Sequence, residues 1–123
     1  MLINLSNHPS AKWGEKQTTT AIEKYGKIQD MPFPQVNPEA RSIDIKKMAA
    51  DYVKQIRQLS KADENQPFAV HIMGEMNLTF RIISLLKRSN ITCVASTTFR
   101  DTIDHPDGSK TFKFEFIQFR EYL

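Results

Sequence analysis

The chain has 123 residues, of which 40% are hydrophobic and 25% charged, and this composition predicts one globular domain spanning residues 1–123. Its apolar runs fall short of the roughly 20 residues that cross a bilayer, and its first residues lack signal-peptide features, so we expect a cytoplasmic protein. The net charge of +3 comes from interleaved acids and bases, which argues against long nucleic acids and leaves a small anionic ligand or a solvated surface as alternatives.

The first strand and helix are bounded by turn and capping residues. Residues 2–5 are apolar strand formers that end at Ser6-Asn7-His8-Pro9. Ser10 is suited to cap a helix that reaches Tyr25 with an apolar spacing close to 3.6 residues. Gly26 then provides the helix stop.

A second strand and helix follow, separated by a proline-rich loop. Residues 27–31 predict a short strand, and three prolines between positions 32 and 38 exclude a helix there. Ser42 would cap the clearest helix of the chain, and residues 60–66 predict a polar loop. The apolar stripe of this helix comprises Ile45, Met48, Ala49, Tyr52, Val53, Ile56 and Leu59.

The second half predicts a strand, a helix, another strand and a hairpin. Residues 67–73 form a strand that stops at Gly74, and a helix with a broad apolar arc follows. Residues 91–95 are nearly all apolar, as is typical of a parallel strand covered on both faces. After a turn at residues 105–108, Lys110 to Phe119 completes the hairpin, with a phase shift that indicates a bulge or a strand end.

This alternation of strands and helices predicts an α/β fold, namely a three-layer, Rossmann-like, mostly parallel sheet with a C-terminal antiparallel hairpin. The stripe of phenylalanines along the hairpin suits a core or a subunit interface. We therefore expect a homodimer.

Several familiar chemistries are absent from the sequence. Cys93 is the single cysteine and lies in an apolar run, which predicts a buried structural thiol. The histidines at 8, 71 and 105 lack zinc-ligand spacing, and His71 is interpreted as a packed residue of a strand. There is no glycine-rich dinucleotide or phosphate-binding loop. We expect no metal and no cofactor.

Polar residues follow three of the predicted strands and should meet at one carboxyl edge of the sheet, where such sheets bind ligands. They are Ser6, Asn7 and His8; Gly74, Glu75, Met76, Asn77 and Thr79; and Ser96, Thr97, Thr98 and Arg100. Their hydroxyl, amide, imidazole, carboxylate and guanidinium groups suit phosphate and ribose. Plainer roles stay open, because turns, helix caps, strand ladders and an ion pair of Arg100 with Asp101 or Glu121 would explain the same residues.

Three segments resemble a known family. Leu2-Ile3-Asn4-Leu5-Ser6-Asn7-His8-Pro9, the turn from Met73 to Thr79 and the strand end Cys93-Val94-Ala95-Ser96-Thr97 are similar to small stand-alone CRISPR-associated proteins with a single CARF (CRISPR-associated Rossmann-fold) domain of the ring-nuclease type. The resemblance implies a homodimer that binds cyclic oligoadenylate across its two-fold axis. Some members cleave that ring without metal, by attack of a ribose 2′-hydroxyl on its phosphate.

The resemblance places the ligand against particular residues. Ser6, Asn7 and His8 match the loop after the first strand, and Gly74 to Thr79 match the glycine-containing turn that cradles the ligand. Glu75 departs from the pattern, since the family often has a small or basic residue there. A carboxylate repels phosphate, so Glu75 would instead meet a ribose hydroxyl or transfer a proton.

The leading hypothesis is a CRISPR-associated protein that binds cyclic oligoadenylate and, in its catalytic version, cleaves it as a metal-independent phosphodiesterase. His8 or Glu75 would act as acid or base, and Arg100 would stabilise charge on phosphate. The ligand-binding residues would be Ser6, Asn7, Gly74, Met76, Asn77, Thr79, Ser96 and Thr97. The alternative is a non-catalytic nucleotide sensor or protein-interaction module, and a weaker third is a flavodoxin-like enzyme for another phosphorylated metabolite.

Overall fold

The computed structural model describes residues 1–62 and 64–123. Within these residues, strands and α-helices alternate as the sequence predicts. The elements are β1 (Leu2–Ser6), α1 (Glu15–Tyr25), β2 (Ile28–Pro32), α2 (Ser42–Ala62), β3 (Ala69–Met73), α3 (Met76–Arg88), β4 (Thr92–Asp104) and β5 (Lys110–Glu121). None of the helices in the described residues has both the length and the apolar character that a bilayer crossing requires.

The strands form one sheet in the order β2-β1-β3-β4-β5. β1 pairs in parallel with β2 and β3, β3 pairs in parallel with β4, and β5 is antiparallel to β4. The predicted α/β class, with its mostly parallel sheet and C-terminal hairpin, is confirmed. β2 lies on one side of β1 in the sheet, and the chain then crosses back so that β3 lies on the other side of β1. The boundary between β1 and β3 is therefore the topological switch point, where open α/β sheets bind ligands.

Hydrophobic clusters cover both faces of the sheet, which makes the sheet the middle of three layers. The cluster on the α1 face contains Leu2, Trp13, Ala21, Tyr25, Ala69, Val94, Phe116 and Phe119. The larger cluster on the opposite face joins Ile3 and Leu5 of β1 to residues of α2 and α3. Because side chains alternate along a strand, Asn4 and Ser6 share the α1 face with Leu2. This alternation turns the polar residues of β1 toward α1.

Two helix boundaries differ from the sequence prediction. Ser10 begins a short 3₁₀ helix, and α1 starts only at Glu15, because the backbone N–H and hydroxyl of Ser10 donate to Asp30 rather than serving the helix. At α2 the carboxylate of Asp44 accepts from the N–H of Arg41 at 2.9 Å, so Asp44 rather than Ser42 provides the side-chain cap. The helix extends through residue 62 into the predicted 60–66 loop, of which residue 63 lies outside the described residues.

The hairpin of β4 and β5 extends far beyond the parallel part of the sheet. β3 pairs with β4 only from Thr92 to Val94, whereas β5 pairs with β4 as far as Asp104. The register shifts between Thr97, opposite Gln118, and Thr98, opposite Phe116, which leaves Ile117 as the extra residue of a bulge. Of the two interpretations of the shift in apolar phase, the bulge is confirmed and the strand end is not.

Gly74, at the end of β3, is required by a close approach of the loop that follows β2. A Cβ at Gly74 would lie 2.5 Å from the ring of Phe33, a contact that real structures do not tolerate. Phe33 is buried in the α2–α3 cluster, and its N–H donates to the carbonyl of Ser6 at 3.3 Å. The glycine therefore lets the loop after β2 pack over the carboxyl edge.

We expect Gly74→Ala to lower the free energy of unfolding by about 1–3 kcal/mol, because the added methyl overpacks the site of the Phe33 ring. Urea unfolding monitored by circular dichroism measures the change. The matched control is Gly14→Ala, since a Cβ there meets nothing within 4 Å, and its cost should stay below about 1 kcal/mol. Equal stability of Gly74→Ala and the parent protein would contradict the close approach.

Candidate functional site

A cavity of about 500 Å³ opens at the carboxyl edge of the sheet, beside the switch point between β1 and β3. The loop after β1, the end of β3 and the start of the hairpin meet here. Its polar lining comprises Ser6, Asn7, His8, Gln17, His71, Ser96 and Thr98, and its apolar lining includes Trp13, Met73, Phe114 and Phe116. Five residues that the sequence placed at this edge are thus brought together: Ser6, Asn7, His8, Ser96 and Thr98.

A row of polar side chains crosses three strands on the cavity side of the sheet. The parallel register aligns Asn4 with Asp30 of β2 and with His71 of β3. Asn4 Nδ2 donates to Asp30 Oδ1 at 2.8 Å and to the carbonyl of His8 at 2.9 Å. Asn4 Oδ1 lies 2.9 Å from His71 Nδ1 and accepts from the hydroxyl of Ser6 at 2.8 Å. The amide thereby links the row to the loop after β1.

The partners of Asn4 also determine the tautomer of His71. Both protons of Asn4 Nδ2 point at oxygen acceptors, so Oδ1 faces His71 Nδ1 and that nitrogen must carry the ring proton. His71 Nε2 then keeps a lone pair, which lies 3.1 Å from Ser96 Oγ. The Ser96 hydroxyl also lies 3.2 Å from the sulfur of Met73, a weaker acceptor than the imidazole. A hydroxyl, a base and a group that orients the base form the arrangement that activates nucleophiles.

The imidazole of His71 is neutral in the folded protein. Its side chain is 2% exposed, with Trp13 and Phe119 packed in edge contacts at centroid distances of 5.4 and 5.6 Å. Burial, with a smaller contribution from the charge of His8, lowers the pKa of His71 to about 4. A neutral ring at pH 7 leaves Nε2 free to accept a proton from the cavity side.

The far end of the row carries a charge. Partial burial favours the neutral form of Asp30, but hydrogen bonds from Asn4 and Ser10 outweigh it and hold the pKa of this carboxyl below its usual value. Ser10 donates through its N–H at 3.1 Å and its hydroxyl at 2.9 Å. The carboxylate polarises the amide of Asn4 and makes Oδ1 a better acceptor for the Nδ1–H of His71.

The lowered pKa of His71 predicts that acid destabilises the protein through this residue. The unfolded chain binds a proton on His71 below pH 6.5, whereas the folded protein does so only near pH 4. Stability should therefore fall as the pH decreases from 6.5 to 4, by roughly 3 kcal/mol from this group. Urea unfolding at pH 7.0 and pH 4.5 measures the loss.

The control for this prediction is His71→Gln, which removes the titrating ring. Acidic groups with lowered pKa values, such as Asp30, contribute equally to both proteins, so the difference between the two pH dependences isolates His71. If both proteins lost the same stability between these pH values, the neutral buried imidazole would be refuted.

The loop after β1 is held through one backbone oxygen. The carbonyl of His8 accepts from Trp13 Nε1 at 3.1 Å as well as from Asn4, and the N–H of His8 donates to Ser6 Oγ at 3.2 Å. The His8 side chain itself is exposed and lines the cavity. The backbone is thus fixed while the imidazole remains accessible to a ligand.

Glu75 lies on the other side of the carboxyl edge. Its carboxylate caps α3, accepting from Leu78 N at 2.8 Å and from Asn77 N and Nδ2 at 3.0 Å. The hydrogen bond from Leu78 and those from Asn77 lower the pKa of Glu75. The sequence had left open whether Asn77 or Thr79 caps this helix. The capping residue is Glu75 instead.

The glycine-containing turn does not share the cavity of His71. Glu75 and Asn77 line a cavity of about 620 Å³ between the starts of α2 and α3, together with Lys46 and Arg81. Gly74, Met76 and Thr79 line another cavity of about 430 Å³ beside Tyr122 and Leu123. Met73 borders both this cavity and that of His71. The residues predicted for one site are therefore distributed over three cavities around the same edge.

Arg100 and Thr97 also lie apart from His71. The guanidinium of Arg100 stacks over the ring of Phe112 at 4.2 Å and lies 5.9 Å from that of Phe114. Among the described residues it forms no ion pair with an acid. Thr97 points away from the face of Ser96, and its hydroxyl lies 3.4 Å from the carbonyl of Gln118. Neither side chain lines any of the three cavities described above.

Sequence reasoning missed Asn4, Asp30 and His71 as members of the site. Asn4 and His71 each interrupt an otherwise apolar strand, and this interruption is the available signal. Both are buried polar residues, and buried polar groups need partners. Because each buried polar residue needs a hydrogen-bond partner, Asn4 and His71 on two neighbouring strands could have been predicted to bond each other.

The fold and the cavity define a doubly wound α/β domain with a polar cavity at its switch point. Residues 1–120 match the family described as Uncharacterized protein MJ1673 family, so the chain belongs to that family. Comparison with curated proteins and with solved structures gives no match.

Proposed function

We propose that this protein is a CRISPR-associated protein of the CARF type that binds cyclic oligoadenylate in the cavity of His71 and cleaves it by metal-independent attack of a ribose 2′-hydroxyl. The observation that carries the proposal is the neutral His71, whose free Nε2 faces a hydroxyl-bearing cavity at the switch point. The substrate class comes from the likeness of residues 2–9, 73–79 and 93–97 to ring-nuclease-type CARF domains. We assign its action to the cytoplasm.

The cleavage reaction requires a correctly positioned 2′-oxygen, a base that accepts its proton and an acid that protonates the leaving 5′-oxygen. A bond forms between the 2′-oxygen and phosphorus while the bond to the 5′-oxygen breaks, which leaves a 2′,3′-cyclic phosphate and a 5′-hydroxyl. Holding the 2′-oxygen in line lowers the barrier, and an acid or base typically contributes 10²–10⁴-fold in rate. Ser6 and Asn7 offer hydrogen bonds to ribose and phosphate, and the accessible His8 can protonate the leaving 5′-oxygen.

Glu75 and Arg100 receive no catalytic role in this proposal. Both carboxylate oxygens of Glu75 are engaged as the cap of α3, on the opposite side of the edge. The guanidinium of Arg100 stacks on Phe112 of the hairpin. The cleavage chemistry is therefore assigned to the groups around the cavity of His71.

Purified protein incubated with cyclic tetra-adenylate or cyclic hexa-adenylate in EDTA should yield linear products that end in 2′,3′-cyclic phosphate. His8→Ala should slow cleavage at least tenfold, because the leaving oxygen loses its proton donor. Chromatography with mass spectrometry measures both results. The matched control is His105→Ala, because His105 lies in the hairpin turn and bonds Thr111.

The outcomes separate catalyst from sensor. Rings that bind but stay intact over hours would refute cleavage and support the alternative of a non-catalytic sensor. If neither ring binds, the proposed CARF assignment is refuted together with the proposed function.

We propose that the active form is a homodimer, held by the projecting hairpin. A two-stranded ribbon is marginally stable by itself, yet this one carries exposed Phe99 and Ile103 on one face and Phe112 and Phe114 on the other. Acidic and basic residues alternate along the hairpin, as at Asp101 opposite Lys113. Two copies of the hairpin would therefore not repel each other through a surface of one charge sign. Pairing of two hairpins through the face of Phe99 and Ile103 would cover these two side chains around a two-fold axis, while Phe114 stays at the cavity.

Light scattering at micromolar concentration should give twice the chain mass of 14.2 kDa. Phe99→Lys should shift the protein to the monomer mass, because it places a charge among the apolar side chains of the interface. The matched control is Ile22→Lys, an exposed apolar residue of α1, which should leave the dimer intact. A monomer mass for the parent protein would refute the proposed dimer.

A further inference from the structure

Ser96 and His71 form a hydroxyl–imidazole pair that the sequence did not connect. Ser96 stands on β4 and lines the cavity together with His71, and its Oγ lies 3.1 Å from the unprotonated Nε2 of His71. The ring is held in this tautomer by Asn4, and Asn4 is held by Asp30. Because Ser96 is partly exposed and His71 is 2% exposed, a ligand group in the cavity meets Ser96 more readily than the ring of His71.

We infer that Ser96 is a catalytic residue that receives the proton of the attacking ribose 2′-hydroxyl while passing its own proton to His71 Nε2, with Asn4 and Asp30 as positioning residues. The role rests on the proposed function, since it specifies the base for that cleavage. In the step, the 2′-oxygen bonds to phosphorus and its proton moves to Ser96 Oγ. The Ser96 proton moves to His71, and the 5′-oxygen leaves with a proton from His8.

The arrangement favours a relay over direct contact with the imidazole. His71 is almost wholly buried beneath Trp13 and Phe119, whereas Ser96 is partly exposed. The imidazolium formed after transfer keeps its Nδ1–H bond to Asn4 Oδ1, whose amide points at the Asp30 carboxylate. Burial disfavours a positive charge on this ring, and the polarised acceptor and, one residue further, the Asp30 carboxylate oppose that penalty. A phosphate in the cavity adds a second negative charge nearby.

The decisive experiment compares single-turnover cleavage of cyclic tetra-adenylate by the parent protein, Ser96→Ala, Ser96→Thr and His71→Gln. Ser96→Ala and His71→Gln should each lose at least a hundredfold in rate, the usual size of an acid–base contribution. Ring affinity should change less than about threefold. Ser96→Thr keeps a hydroxyl and should retain the rate within tenfold. The matched control is Ser84→Ala, a serine of α3 whose hydroxyl bonds the carbonyl of Phe80.

A spectroscopic measurement tests the relay apart from turnover. The ¹⁵N shifts of the His71 ring at pH 7 should report a protonated Nδ1 and a bare Nε2, and Nε2 should shift in Ser96→Ala. A protonated Nε2 would overturn the relay whether or not any ring is cleaved. A ring with 2′-O-methyl ribose should stay intact, and its cleavage would overturn attack by the 2′-hydroxyl together with this role of Ser96.

The remaining outcomes distinguish failure of the proposed cleavage function from failure of the role assigned to Ser96. Cleavage by the parent protein that continues undiminished in Ser96→Ala overturns the relay and leaves the proposed function standing. A parent protein that leaves both rings intact overturns the function and this role of Ser96 together. Loss of ring binding in Ser96→Ala would show that the hydroxyl serves binding instead.

Discussion

The side-chain amide of Asn4 is the group on which the site depends. It is 1% exposed in β1 and forms hydrogen bonds with Asp30, His8, His71 and Ser6. Leaving one buried polar group without a partner costs about 1–3 kcal/mol, and a slipped register between β1 and either neighbour would orphan several such groups. A single side chain thus ties the alignment of three strands and the conformation of the following loop to the tautomer of a histidine.

Much of the fold was predictable because it depends on local patterns. Apolar runs bounded by glycine, proline and polar turns marked where each strand begins, although β4 continues to Asp104 instead of ending near residue 95. The shift in phase after Phe116 coincides with the bulge. The start of α1 was not predictable, because the side chain of Ser10 is engaged by Asp30, 20 residues away. Local capping rules describe a helix only when no tertiary partner competes for the same residue.

The site was partly predictable for a similar reason. Parallel topology brings strand ends to one edge, which correctly grouped Ser6, Asn7, His8 and Ser96. That edge has two sides, however, and topology does not say which side each residue faces. The turn at Gly74 leads into α3 on the opposite face from α1, so it carried Glu75 into a different cavity. The pairing of Asn4 with His71 depends on strand register, for which the sequence offered one signal, namely that each residue interrupts an apolar strand.

The bulge at Ile117 has a consequence for how this strand tolerates changes in length. Phe112, Phe114, Phe116 and Phe119 all face the α1 side, and without Ile117 their alternation would be regular. A deletion at this position would therefore leave every aromatic ring on its present face. Bulges increase local twist and bend a strand, so we expect the extra residue to influence how the part of β5 that carries Phe114 and Phe116 lies against the cavity that these rings line. Ile117 therefore sets the curvature of the cavity roof rather than its composition.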